Sequence, residues 1–219
     1  IKENEGSEVF EKLGEGKEGI KQIITSCSLS ECIRIGAKEI GWKEKFNRSK
    51  DCRLVKRGVG MAALMQGSAV PEIDMASVSL KLNEDGSFNL LAGATDIGTG
   101  SDTVLAQIAA EGLGISAKNI VVYSSDTDIT PFDVGAYASS TTYLSGQAVQ
   151  KAVNKVKRQI IQVACDILNE RHSDYLFENA SVESLKTQKA LTLREIALRA
   201  MYQEQQFQIG AMESAVDRK

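Results

Sequence analysis

Gly93-Ala-Thr-Asp-Ile-Gly98-Thr-Gly100-Ser-Asp-Thr-Val-Leu-Ala-Gln107-Ile-Ala-Ala-Glu111 runs from a loop of small residues straight into an amphipathic helix. Gly98 and Gly100 permit positive φ and close backbone approach, and Thr95, Thr99, Ser101 and Thr103 crowd around them. The helix brings unpaired N–H groups and a positive dipole end, a setting for an anionic or strongly polar ligand. Just upstream, Val78, Leu80 and Leu82 alternate with polar residues, Asn83-Glu-Asp-Gly86 has turn chemistry, and Phe88 and Leu90 resume the alternation. A β-hairpin feeding a helix through a glycine loop is the expected unit. Downstream, a second loop of the same kind, Gly135-Ala-Tyr-Ala-Ser-Ser-Thr-Thr-Tyr143, opens a longer helix.

That longer helix, over about 140–169, carries Leu144, Ala148, Ala152, Val153, Val156, Ile160, Ala164, Ile167 and Leu168 at helical spacing. Between the loops, Asn119–Tyr123 reads as a short buried strand and Asp126–Pro131 as a loop. Asn169–Leu191 suggests short strands and turns, Thr192 to Glu195 has capping-box spacing for a further helix, and Phe207–Ala211 suggests a last strand. Toward the N-terminus, Leu29, Cys32, Ile33, Gly36, Ala37 and Ile40 follow helical spacing, with Ser28 or Ser30 as N-cap and Gly41 as terminator. Trp42–Cys52 reads as a charged connection and Arg57–Leu64 as a strand. Strands alternate with helices, yet a hairpin is present, so the expected class is α+β with a mixed sheet packed by a few helices. The expected division is a helical lead-in at 1–52, a core with both loops at 53–170 and a small α/β extension at 171–219.

The 219 residues suffice for a sizeable core, and 42% hydrophobic and 25% charged content are ordinary for a globular domain. A net charge of −3 gives no electrostatic footprint for nucleic acid or an anionic membrane, and neither is expected as a partner. No apolar run approaches the length of a bilayer-spanning helix, and no signal peptide is evident. Cys27, Cys32, Cys52 and Cys165 show no metal-binding spacing and are expected as buried thiols of a cytoplasmic protein. The lone His172 sits in a polar helix end, where solvation or a dipole contact is its expected role. The chain begins on Ile1 rather than Met, consistent with a piece of a longer polypeptide.

The first loop is neither of the common phosphate-binding patterns. A dinucleotide fingerprint needs a third glycine, and a P-loop needs a Lys before its Ser or Thr; Gly98-Thr-Gly100-Ser-Asp-Thr has neither. Asp96, Asp102, Asp126, Asp128 and Asp133 surround the two loops, while Lys118 is the only basic residue between Gly93 and Gln150. A ligand here would be held by backbone N–H groups and hydroxyls. A plain strand-to-helix turn and ordinary N-cap chemistry carry about equal weight on motif grounds. Gln107 and Glu111 read as solvated, Gln147 as either solvated or functional, and the Asp cluster as loop solvation with Asx turns.

Taken as an ordered set, these segments resemble the large subunit of the xanthine dehydrogenase / aldehyde oxidase family of molybdenum hydroxylases. Lys56-Arg-Gly-Val-Gly-Met-Ala62, Asp96–Glu111, Asp126-Thr-Asp with Pro131, and Gly135–Val149 carry the resemblance, over about residues 28–155. It implies a domain holding the molybdenum–pterin cofactor, with a cytosine dinucleotide form as one alternative. The reaction implied is hydroxylation of a purine, another N-heterocycle or an aldehyde with water-derived oxygen. Electrons would pass through [2Fe-2S] clusters to FAD on partner domains or subunits. By the resemblance, Gly98, Thr99 and Gly100 correspond to the loop beside the metal, and Ala138, Ser139, Ser140 and Thr141 to the loop bonding the pterin and its phosphate. Thr99 stands where many members have Gln, and Ser140 where some have Arg.

The family's general base, a Glu in a Gly-Glu context, has no counterpart in this sequence; Glu213 lies in a different context, and no catalytic residue or metal ligand is assigned. The chain is therefore expected to supply cofactor-binding loops and to be inactive alone, its partners being the remainder of the large subunit, iron–sulfur and flavin subunits and a small-molecule substrate. Two other readings stand beside this one: a non-catalytic scaffold of the same fold, and a phosphometabolite enzyme using the Gly98–Gly100 loop as an anion cradle.

Overall fold

The computed structural model describes residues 8–12, 18–23, 27–46, 54–64, 73–170, 175–202 and 206–216. His172 and Cys52 lie outside these. The chain divides into two units, Ile1–Met65 and Gln66–Lys219.

In the first unit, β1 (Glu8–Lys12) pairs antiparallel with β2 (Glu18–Ile23), so the lead-in is not wholly helical. Helix α1 (Leu29–Glu39) starts after Ser28, as expected, although the Ser28 side chain makes no capping bond. Gly41, at φ 64°, takes the left-handed turn that ends it. The charged connection contains a short helix, α2 (Trp42–Phe46), in which the Trp42 and Phe46 rings stack at 5.0 Å. The strand expected over Arg57–Leu64 does not form. A strand persists only with a ladder partner, and Met61 and Leu64 are exposed with no strand alongside.

The second unit is built on the predicted hairpin. Strand β3 (Met75–Leu82) pairs antiparallel with β4 (Phe88–Ala92) in the register Leu82↔Phe88. The turn is closed by Asn83 N–H on Ser87 O at 2.8 Å and Gly86 N–H on Asn83 O at 3.0 Å. Val78, Leu80, Leu82, Phe88 and Leu90 share the inner face, none more than 1% exposed. Burying each of the larger of these side chains contributes roughly 1.5–3 kcal/mol. Helix α3 (Ser101–Leu113) then crosses to β5 (Ile120–Ser124), which lies parallel to β4. Strand β5 is an edge strand and only half buried, against expectation: Val121 and Tyr123 point away from the helices and are exposed.

Helix α4 (Gly146–Leu168) is continuous with a π turn at Thr141–Ser145, so the long helix occupies the predicted span. It ends at Asn169, whose φ of 53° supplies the left-handed cap. Ala148, Val149, Ala152, Val153, Val156, Ile160, Val163 and Ala164 are all buried where α4 packs on α3, β3 and the last strand. Ile167 and Leu168, placed on the stripe by sequence, are only partly buried.

Beyond α4, strands β6 (Tyr175–Glu178), β7 (Ser181–Ser184) and β8 (Ala190–Thr192) form a small antiparallel sheet, and α5 (Leu193–Tyr202) packs on α4. The last strand, β9 (Gly210–Val216), begins near the end of the predicted segment and belongs elsewhere. It lies antiparallel beside β3, giving the mixed order β5-β4-β3-β9 of an α+β fold. The Gln159 amide fixes the junction, donating to Gly210 O at 2.9 Å and accepting from Gly210 N–H at 3.0 Å.

The capping box forms as predicted. Glu195 Oε2 accepts from Thr192 N–H at 2.8 Å, and Thr192 Oγ1 accepts from Glu195 N–H at 3.1 Å. The N–H and then the hydroxyl of Thr192 hold the Glu195 carboxyl below its ordinary value. A depressed folded-state pKa stabilises above the unfolded value near 4.3 and loses that contribution as pH falls through the folded value. Thr192→Ala is expected to cost about 1 kcal/mol at pH 7. Urea titrations at pH 7 and pH 3 check this, the variant difference shrinking at the lower pH.

Candidate functional site

Because β4 and β5 are parallel, both glycine loops leave the sheet at one end, from the carboxyl ends of neighbouring strands. Strand β3 runs the other way, so Asp74, just before it, lies at that same end. The loops are docked to each other. Ser125 N–H donates to Ala92 O at 3.3 Å, Ser125 Oγ donates to Ala94 O at 3.1 Å, and Ser124 Oγ donates to Asp102 Oδ2 at 3.0 Å. At Gly93 a Cβ atom would sit 2.3 Å from Pro131 O and 2.6 Å from Asp133 Cβ, so the two segments touch backbone to backbone.

The first loop differs from the open anion cradle expected from its sequence. Asp96 Oδ1 accepts from Gly98 N–H at 2.8 Å and from Gly100 N–H at 3.1 Å, engaging the donors a phosphate would use. The field of N–H groups that attracts an external anion has drawn in the loop's own carboxylate. Those bonds, Gly98 first and then Gly100, hold the Asp96 carboxyl below its usual range, so it stays ionised at neutral pH. Gly98 and Gly100 sit at φ 96° and 73°, the positive region their residue type allows. Thr99 between them is exposed. At the first turn of α3, Ser101 Oγ and Asp102 Oδ1 are buried with no hydrogen-bond partner, although Ser101 is only 3% exposed. Each such orphan costs about 1–3 kcal/mol.

The second loop is under backbone strain. Ala138 and Ser139 take φ of 48° and 54°, a left-handed pair without glycine, at a cost of order 1 kcal/mol or more each. The π turn follows at once, and such turns concentrate at functional sites. Ser139 is exposed and Thr141 half-buried. Ser140 is turned inward: its N–H and Oγ donate to Tyr137 O at 3.0 and 2.9 Å, so this hydroxyl closes the loop. Asp133 Oδ1 accepts from Gly135 N–H at 2.8 Å, and its Oδ2 from Ser145 Oγ at 3.1 Å. Partial burial first, then the neighbouring Asp74 and Asp133 carboxylates, push the Tyr137 phenol up to about 12, although the residue is 41% exposed.

Electrostatics at this end are acidic. Lys118 is exposed at the opposite end of β5, near its start. Lys151 Nζ donates to Ser214 O at 3.0 Å, and Lys155 pairs with Glu213. That pairing accounts for Glu213, which faces α4. Gln107 and Glu111 are exposed, Gln147 is half-buried, and Asp126 Oδ1 closes an Asx turn on Asp128 N–H at 3.0 Å. Among the described residues no cluster of His, Cys, Asp and Glu fits a metal ion, and no helix is long and apolar enough to cross a membrane. Of the described cysteines only Cys165 is buried; Cys32 is exposed. Sequence reasoning placed Asp133 beside the loops but did not single out Asp74, which carries no local signal, or Tyr137, an aromatic residue set among small ones.

Residues 36–216 match the family model of the molybdopterin cofactor-binding domain. The chain belongs to that family. This molybdopterin cofactor-binding domain is 37% identical over 175 residues to the "probable hypoxanthine oxidase" of Escherichia coli (strain K12), a match covering 80% of this chain and 18% of the relative. It is 31% identical over 188 residues to the xanthine dehydrogenase molybdenum-binding subunit of Escherichia coli O157:H7, covering 82% of this chain and 25% of the relative. Among solved structures, the reconstituted CO dehydrogenase from Oligotropha carboxidovorans aligns with a TM-score of 0.57 and 26% identity, over 64% of this chain and 18% of that one. The domain thus spans a quarter or less of the curated relatives it matches. Its site fits a polar, hydrogen-bonding group: exposed Thr99 and Ser139 hydroxyls flank an end of the sheet that also holds the orphaned Ser101 and Asp102 oxygens.

Proposed function

We propose that this domain seats a molybdenum–pterin cofactor between its two loops, as part of a larger oxidoreductase. The observation that carries the reading is the exit of both loops from the carboxyl ends of adjacent parallel strands, where open α/β sheets place their ligands. When bound, the cofactor supplies a two-electron redox centre. Gly98, Thr99 and Gly100 approach it from one side, with the Thr99 hydroxyl as donor. Ala138, Ser139 and Thr141 approach from the other, and Ser140 holds their shape from within. Asp96 keeps the first loop folded and leaves no place there for a phosphate, which disfavours the phosphometabolite reading.

The names of the relatives favour a purine such as hypoxanthine or xanthine as substrate over an aldehyde. The whole protein would hydroxylate it with water-derived oxygen, in the cytoplasm, passing electrons to [2Fe-2S] and flavin groups on partner domains or subunits. Elemental analysis and pterin fluorescence of the full-length protein with its native partners test this. About one molybdenum and one pterin per chain are expected, with xanthine-dependent dye reduction; a metal-free, pterin-free preparation overturns the reading in favour of a scaffold. Thr99→Ala is expected to weaken cofactor retention about fivefold, the worth of one hydrogen bond. The 219-residue chain alone is expected to retain no stoichiometric cofactor and to show no turnover.

A further inference from the structure

Helix α1 is amphipathic, yet none of its residues is buried. A helix this short is marginal in water and takes its stability from the packing of its apolar face. Leu29, Ile33 and Ala37 from that face line an apolar groove of about 300 Å³, together with Gly60, Met61 and Ala62. The last three belong to the 57–64 segment, which has the residues of a strand but no ladder, and in which Met61 is 58% and Leu64 84% exposed. Gly58 and Gly60 add a second observation. Neither has a positive φ, and a Cβ at either would meet nothing within 4 Å, so nothing among the described residues calls for glycine there. Alternate positions of a strand share one face, and glycines on it admit a closely packed neighbour.

We propose that this groove is the docking site of an apolar β-strand from the remainder of a longer polypeptide, which pairs with 57–64 and covers the apolar face of α1. This rests on the domain's being part of a larger oxidoreductase, not on the seating of a cofactor. The occupant is a strand, because covering the segment takes its N–H and C=O groups from water, and a ladder partner replaces them along its whole length. It is apolar, because no charged side chain lines the groove. It comes from the same polypeptide, because this chain spans a quarter or less of its relatives. The family match also begins at Gly36, inside α1, so the groove straddles the border of the matched domain.

Cys32 is exposed and also lines the groove, so its alkylation, resolved by peptide, reports on the occupant. That rate and amide exchange over 57–64 are measured on the full-length protein with its partners and on the 219-residue chain. In the full-length protein Cys32 is expected to react about tenfold more slowly, and the 57–64 amides to exchange about a hundredfold more slowly, than in the chain alone. Protection of β3 and β4 serves as the folding control. Gly60→Val is expected to hold the thermal midpoint of the 219-residue chain within a few degrees, since its side chain enters free space. In the full-length protein the same variant is expected to undo the protection of 57–64, a comparison that decides the matter even without the chain alone. Equal fast rates in both proteins overturn the docking. Equal slow rates put a second copy, or the chain's own second unit, in the groove and overturn it too. A shielded Cys32 beside unprotected 57–64 amides overturns the strand, as does protection that Gly60→Val leaves intact.

Discussion

Gly93→Ala is expected to unfold this domain about 3 kcal/mol more easily than the wild type and to part its two loops. The added methyl would lie 2.3 Å from Pro131 O and 2.8 Å from Asp133 N. Both are backbone atoms, so no side chain can swing aside to make room. Overpacking of this kind costs about 1–3 kcal/mol where neighbours can yield, and here they yield only if the 131–133 segment moves. That segment carries Asp133, whose carboxylate organises Gly135 and Ser145, so the displacement passes directly into the second loop. For a chain of this size about 3 kcal/mol corresponds to a fall in thermal midpoint of about 6–12 °C. Calorimetry on Gly93→Ala beside Gly36→Ala checks it. Gly36 lies within α1 and a Cβ there meets nothing within 4 Å, so its replacement is expected to be neutral or mildly stabilising. Equal midpoints for both variants would contradict the close approach at Gly93.

Gly114→Ala is expected to be at least as damaging, at the other end of α3. Gly114 ends that helix at φ 66°, and a Cβ there would lie 2.0 Å from Phe177 O and 2.5 Å from Phe177 C. The left-handed conformation alone costs an alanine about 1–2 kcal/mol. The collision adds to this, because Phe177 belongs to β6 and cannot retreat without lifting the small sheet. Lys157 lies 4.3 Å over the Phe177 ring and donates to Gly112 O at 3.0 Å, tying that sheet to the end of α3. A total of about 3–5 kcal/mol is expected, read by urea denaturation, with proteolytic cleavage near residues 175–192 as the local signature. A loss below about 1 kcal/mol would show that the helix end and β6 are not in contact.

What the sequence disclosed, and what it withheld, follows the range of the forces involved. The hairpin from Val78 to Leu90, the stripe of α4 and the Thr192–Glu195 box are set by residues within a few positions of each other, and all three form as read. The α+β class with a mixed sheet follows from the same local signals. The strand expected at Arg57–Leu64 has suitable residues but no partner, and partners are not a local property. A last strand was read at Phe207–Ala211, but it runs Gly210–Val216, and nothing in its residues announces a place beside β3. At the site the two loops were legible from their glycines and hydroxyls. Their internal wiring was not: that Asp96 turns back onto Gly98 and Gly100, and that Ser140 turns inward onto Tyr137 O, depends on contacts made only after folding.

The position of β9 also sets a timetable. Strand β3 gains β4 as soon as the hairpin leaves the ribosome, but its other edge waits until α3, α4 and the small sheet have been synthesised. At ordinary translation speeds that interval is on the order of ten seconds. Throughout it, a strand lined by Val78, Leu80 and Leu82 presents open N–H and C=O groups, the condition under which sheet edges recruit one another between chains. Closing such a distant pairing is slow because the intervening loop must be ordered first. A nascent chain halted before Gly210 therefore has its central strand exposed along one side, and the last strand acts as the clasp that makes the newborn domain safe from its neighbours.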